Sequence, residues 1–135
     1  MSKSDKSKKV LIVEDEADVV SYLEMLIGDA GFATVVARDG RQGMEMVHSE
    51  KPDLVTLDIS MPEASGTRFY KEIKADPELA SIPVVIITGV TGYAGDPYGY
   101  EKFIGGRGSV PPPDGFFPKP VDKERFLEAL GKFLG

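Results

Sequence analysis

The sequence predicts a doubly wound α/β sandwich around one five-stranded parallel sheet. Three observations carry that expectation. Short apolar runs alternate with stretches of helical period. The runs at 10–13 and 84–87 are apolar at every position, the pattern of strands buried on both faces. The spacing of these units matches strand–helix–strand crossovers, which pack right-handed on both faces of a parallel sheet.

Taken in order, residues 10–13 form the first strand. From Glu16 the period lengthens, and Val19, Val20, Leu23, Leu26, Ile27 and Ala30 line one helical face that Gly31 stops. Residues 32–37 are rich in β-branched side chains and read as a second strand. A short helix over 40–49 turns Met44 and Val47 inward. Pro52 precedes the third strand, 53–57, with Leu54, Val55 and Leu57. A loop over 60–66 leads to a helix through Phe69, Tyr70 and Ile73 that closes near Asp76 and Pro77. Residues 84–87 form a central strand and 115–117 a short last one. Asp122 caps a final helix that buries Phe126, Leu127, Leu130 and Phe133. This is the flavodoxin-like arrangement of five strand–helix units.

One segment departs from the rhythm. Residues 89–118 hold eight of the fifteen glycines and, with Pro120, six of the ten prolines. Both residue types disfavour helix interiors. The helix expected between the fourth and fifth strands is therefore short or replaced by a Gly/Pro-rich loop. Tyr93, Tyr98, Tyr100 and Phe103 lie here, and read equally as packing over a long loop or as a binding surface.

Composition narrows the function classes. A chain of 135 residues, 41% hydrophobic, is one globular domain. It has no cysteine, which excludes disulfides, thiolate metal sites and thiol catalysis. No apolar run approaches the roughly 20 residues of a membrane span, and no secretory signal is visible, so a cytoplasmic protein is expected. Residues 1–8 are expected to be a disordered basic tail, with the folded domain at 9–135. Residues 1–9 carry +3 and the remainder −9 of a net −6. An acidic body argues against direct nucleic-acid binding, which needs positive charge at phosphates.

In an open parallel sheet, ligands bind beyond the carboxyl ends of the strands. Those ends here deliver Glu14, Asp15 and Glu16, then Asp58, Thr88 and Lys119. Crowded carboxylates raise one another's pKa unless a cation joins them. Hard oxygen ligands suit Mg²⁺ (or Mn²⁺), which also takes phosphate oxygens. A carboxylate nucleophile can form an acyl phosphate, with an ammonium and a hydroxyl left to hold the remaining oxygens.

These residues resemble the response-regulator receiver family of two-component signalling. The matching motifs are Val13-Glu14-Asp15-Glu16, Leu57-Asp58-Ile59-Ser60-Met61-Pro62 with Ser65-Gly66, Ile86-Ile87-Thr88-Gly89, and Phe117-Pro118-Lys119-Pro120. The likeness runs over 9–134. It implies Asp58 as phosphoacceptor, with Asp15, Asp58 and the Ser60 backbone carbonyl as direct metal ligands and Glu14 bound through water. It implies Thr88 as the hydroxyl that senses the phosphoryl group, Lys119 as its ion-pair partner, Phe116 as the switch aromatic, and a cis Lys119–Pro120 peptide. It also implies a histidine kinase or phosphotransfer protein as donor and a downstream protein target; with no apolar run long enough to span a bilayer, no membrane partner is expected.

Two departures stand out. Glu14 occupies a place where most receivers have Asp, and its longer side chain leaves a direct metal bond open. Thr88 and Lys119 stand 31 positions apart, more than is usual, which points to an altered readout surface. Glu16 reads as a helix N-terminal acid favoured by the dipole, and His48 as a surface residue rather than a phosphodonor. The competing functions are a phosphorylation-independent scaffold and an Asp-nucleophile phosphatase. The latter needs a second acid two residues after the nucleophile, where Ser60 stands. No output domain follows the last helix in this sequence, so signalling by protein–protein contact rather than enzymatic turnover is expected.

Overall fold

The structure, a computed structural model, describes residues 8–59, 65–88 and 113–135, with Ser65, Thr67 and Thr88 described in backbone only. The expectations for the tail before Lys8, for Ser60 and for the segment 89–112 lie outside the described residues.

Five strands form one sheet: β1 (Lys9–Val13), β2 (Ala33–Ala37), β3 (Leu54–Asp58), β4 (Val84–Thr88) and β5 (Gly115–Pro118). Their order is β2-β1-β3-β4-β5, all neighbours parallel. Among the described residues four helices accompany them: α1 (Ala17–Asp29), α2 (Gly40–Glu50), α3 (Ser65–Ala75) and α4 (Lys123–Leu134). The doubly wound fold is thus as the apolar runs predict.

Strand alternation sorts the core into two layers. Leu11, Val13, Val55, Leu57, Val84 and Ile86 face Val47 of α2 and Phe69, Tyr70 and Ile73 of α3. Val10, Ile12, Leu54, Val85 and Ile87 face Val20, Leu23, Leu26 and Ile27 of α1 and Phe126, Leu130 and Leu134 of α4. Both faces are covered, which is why the central strands carry no polar alternation.

The helix ends follow local chemistry. Asp39 accepts the Gln42 N–H at 2.8 Å at the start of α2. Asp122 accepts those of Glu124 and Arg125 at 3.0 and 3.2 Å at the start of α4. After α1, Gly31 takes φ +98°, a left-handed conformation that glycine adopts freely. Ala30 is exposed, contrary to the sequence expectation, because the helix has ended and Ala30 is its C-cap. On α4, Leu127 and Phe133 are only partly buried, and Leu134 takes the deeper place.

Candidate functional site

The carboxyl ends of β1 and β3 lie side by side, with Val13 registered on Leu57. The next residue of β1's path, Glu14, is held by its N–H on the Ala37 carbonyl at 2.9 Å. Asp58 ends β3 beside Ile87 of β4, so its carboxylate belongs to the strand and not to the loop after it. Glu14 and Asp58 are 1% and 2% exposed, whereas Asp15 faces solvent. One carboxylate oxygen from each of the three lies within 4.8 Å of the others.

Lys119 follows β5 directly and reaches this cluster. Its Nζ donates to Asp58 Oδ2 at 3.2 Å, Glu14 Oε2 at 3.3 Å and Glu16 Oε1 at 3.0 Å. Burial works against the ammonium, but Glu16, Asp58 and Glu14 outweigh it and hold it above the ordinary lysine range. For Glu14 the balance goes the other way. Burial first, and the neighbouring Asp58 second, push its carboxyl up to about 8 despite Lys119.

The donor set fits a hard divalent cation. Two buried acids and one exposed acid converge, and Glu14 Oε1 is buried with no hydrogen-bond partner among the described residues. An unpaired buried oxygen costs free energy that a cation would recover. Its orientation makes Glu14 a candidate ligand in its own right, beyond the water-mediated place that the resemblance implies.

Gly66, the second residue of α3, allows the close approach that closes the site from behind. A Cβ there would stand 2.5 Å from the Asp58 carbonyl oxygen and 2.9 Å from Ile59 Cα. Backbone, not a movable side chain, fills that space.

Of the residues singled out in the sequence, Glu14, Asp15, Asp58 and Lys119 come together. Thr88 ends β4 opposite Pro118, at the same sheet edge. Phe116 pairs with Ile86 and packs, half-buried, on the α2–α3 layer. The Lys119–Pro120 peptide is cis. His48 is exposed on α2. Glu16 is the addition: it is the N-cap residue of α1, yet its side chain makes no capping bond and turns to Lys119 instead. A partnership across 103 positions leaves no mark in local sequence spacing.

The doubly wound sheet, with acids and a lysine converging at its carboxyl edge, places the chain among flavodoxin-like domains whose acidic pocket could hold a cation. The chain belongs to the response-regulator receiver family of two-component signalling, whose model matches residues 10–103. It is 33% identical over 128 residues to the polar-differentiation response regulator DivK of Brucella anthropi, covering 95% of this chain and 97% of that protein. The Brucella ovis DivK matches equally over 129 residues, covering 96% and 98%. Among solved structures, the receiver domain of a signal transduction histidine kinase from Syntrophus aciditrophicus superposes with TM-score 0.79 at 26% identity, covering 95% of this chain and 90% of that one. The Vibrio cholerae chemotaxis protein CheY4 shares the fold at TM-score 0.75 and 24% identity, covering 94% and 98%. Among the described residues no helix is long and apolar enough to cross a membrane.

Proposed function

We propose that this chain accepts a phosphoryl group on Asp58 from a histidine kinase or phosphotransfer protein, in a Mg²⁺-dependent (or Mn²⁺-dependent) reaction, and passes the signal on by protein–protein contact in the cytoplasm. The observation that carries this reading is the Lys119 ammonium seated on the buried Asp58 and Glu14 side chains, with Asp15 within reach of both. The receiver unit spans 9–135, and residues 1–8 serve as a basic leader.

A carboxylate oxygen of Asp58 attacks the phosphorus of a phosphohistidine. The P–N bond breaks, the imidazole leaves, and an acyl phosphate forms. Glu14, Asp15, Asp58 and the Ser60 carbonyl would hold the cation, which neutralises charge on the transferring group. Lys119 moves from carboxylate to phosphoryl oxygen, keeping a charge-assisted hydrogen bond throughout. The Thr88 hydroxyl takes a further oxygen, and Phe116 follows it inward as the switch aromatic. The domain works as a signalling element and not as a turnover enzyme, and it makes no direct contact with nucleic acid.

Incubation with acetyl phosphate and Mg²⁺, read by intact mass, tests this reading. One phosphoryl adduct is expected, absent after chelation and absent in Asp58→Asn. No adduct with any divalent cation would overturn the reading and favour a phosphorylation-independent scaffold. Readout is assigned to the long segment after β4, and hydrogen exchange unchanged across 89–116 on phosphorylation would contradict that.

A further inference from the structure

Lys119 acts only if β5 keeps its register, and β5 has little to keep it. It is a four-residue strand at the sheet edge, paired with β4 alone among the described strands. Its two central side chains are both phenylalanine. Phe116 packs on the α2–α3 layer and Phe117 on the α1–α4 layer, edge-on to Phe126 at 5.7 Å between centroids. A slip of one residue ordinarily exchanges apolar for polar faces and is penalised. Here it would place one Phe where the other had been and leave Gly115 or Pro118 on the opposite face, so the pattern discriminates by one buried ring rather than by an exchange of apolar for charged side chains. Pro118 adds no N–H to the ladder.

The register is set just before the strand. The Asp114 N–H donates to the Val84 carbonyl at 2.9 Å, and Asp114 Oδ2 accepts the Val84 N–H at 2.9 Å. A single residue thereby takes both backbone groups of the first residue of β4, and the ladder from Val85 with Gly115 to Thr88 with Pro118 follows. The same Oδ2 lies 3.8 Å from Lys74 Nζ, whose side chain is 7% exposed. Lys74 is itself fixed, donating to the Ala80 and Ile82 carbonyls at 3.1 Å each. Gly115 lets the strand close tightly, since a Cβ there would stand 3.3 Å from Val85.

We propose that Asp114 is a positioning residue for Lys119: its double bond-pair with Val84, backed by Lys74, fixes the β5 register that places the ammonium on Asp58. One residue of slip moves the chain roughly 3.3 Å along the strand. That is enough to break every contact of the ammonium with Glu14, Glu16 and Asp58. The inference rests on the reading of Lys119 as the partner of the phosphoryl group, and its test separates the two.

Asp114→Ala, Asp114→Asn and Lys74→Met would be compared by three readouts: phosphorylation rate with acetyl phosphate, Mg²⁺ affinity by calorimetry, and amide exchange at Phe116 and Phe117. Asp114→Ala should slow phosphorylation about tenfold, the scale of one hydrogen bond to a charged group. It should also speed exchange at both amides and strengthen Mg²⁺ binding, because a displaced ammonium no longer competes with the cation. Damage to the fold in general would weaken Mg²⁺ binding instead. Asp114→Asn keeps an oxygen for the Val84 N–H and should restore rate and exchange. Lys74→Met removes the charge behind Asp114 and should slow phosphorylation and speed exchange in the same direction as Asp114→Ala, by a smaller factor. Normal rate and exchange in Asp114→Ala would overturn the proposal, as would Asp114→Asn matching Asp114→Ala, or weakened Mg²⁺ binding in both. If the parent protein takes no phosphoryl group, the functional reading fails. Exchange and Mg²⁺ affinity then still decide the role of Asp114.

Discussion

Replacing Gly66 by Ala sets two physical effects against each other, and the structure decides the sign. On helix propensity alone, Ala in α3 gains up to about 1 kcal/mol. The new methyl carbon, however, would stand 2.5 Å from the Asp58 carbonyl oxygen, 2.9 Å from Ile59 Cα and 3.3 Å from the Asp58 carbonyl carbon. Those atoms are main chain at the end of β3 and in the residue that follows it, and backbone held by the sheet cannot rotate aside as a side chain would. Overpacking of this kind costs about 1–3 kcal/mol, more where backbone must move. The position lies in the first helical turn, where the propensity gain is smallest, so a net loss of about 1–2 kcal/mol follows. The displaced backbone carries Asp58, so phosphorylation by acetyl phosphate should slow alongside. Urea denaturation midpoints at fixed m-value measure the first effect, and adduct formation against time the second. A Gly66→Ala protein as stable as the parent, with an unchanged phosphorylation rate, would refute the close-approach argument.

Three further outcomes follow from the geometry. The Glu14 carboxyl titrates near 8 in the metal-free fold but near 4.5 when exposed. The folded state therefore holds a proton that the unfolded chain has lost between those values, and stability of the metal-free protein falls as pH rises from 4.5 toward 8. Urea melts in chelator across that range check this, with the slope reduced in Glu14→Gln. Lys119→Met removes the cation paired with two buried acids. It should bind Mg²⁺ more tightly yet take up phosphoryl groups about tenfold more slowly or worse, as calorimetry and adduct kinetics would show. Asp122→Ala loses the two capping bonds of α4 and should cost about 1 kcal/mol in urea, with Mg²⁺ affinity unchanged because Asp122 is not one of the three converging acids.

The central strands β1, β3 and β4 were legible because their apolar runs are buried on both faces, and apolar continuity is all that such a strand requires; the half-buried edge strand β2 showed instead in its β-branched residues. The boundary of β3 was less so. Asp58 breaks the apolar run yet stays in the ladder, since its carboxylate is supported by Lys119 and not by solvent. The acids of the site could be located from the topology, because a parallel sheet gathers its strand ends on one edge. What escaped were partnerships made across the fold. Glu16 looks like any acid at a helix start, and only the path of the chain after β5 brings Lys119 to it. Asp114 sits in a Gly/Pro-rich stretch whose composition suggests a loop, while its two bonds to Val84 make it the anchor of an edge strand. Glu14 resembles a conservative exchange in sequence. Its burial and its unpartnered oxygen are consequences of packing that no local pattern records.

The central claim is that Asp58 is the phosphoacceptor, and chemical mapping of the bond tests it most directly. After treatment with acetyl phosphate and Mg²⁺, borohydride reduction converts an acyl phosphate to the corresponding alcohol. Peptide mapping by mass spectrometry should then find homoserine where Asp58 stood and aspartate intact at position 15. Reduction at Asp15 or at any other acid, with Asp58 untouched, would contradict the account.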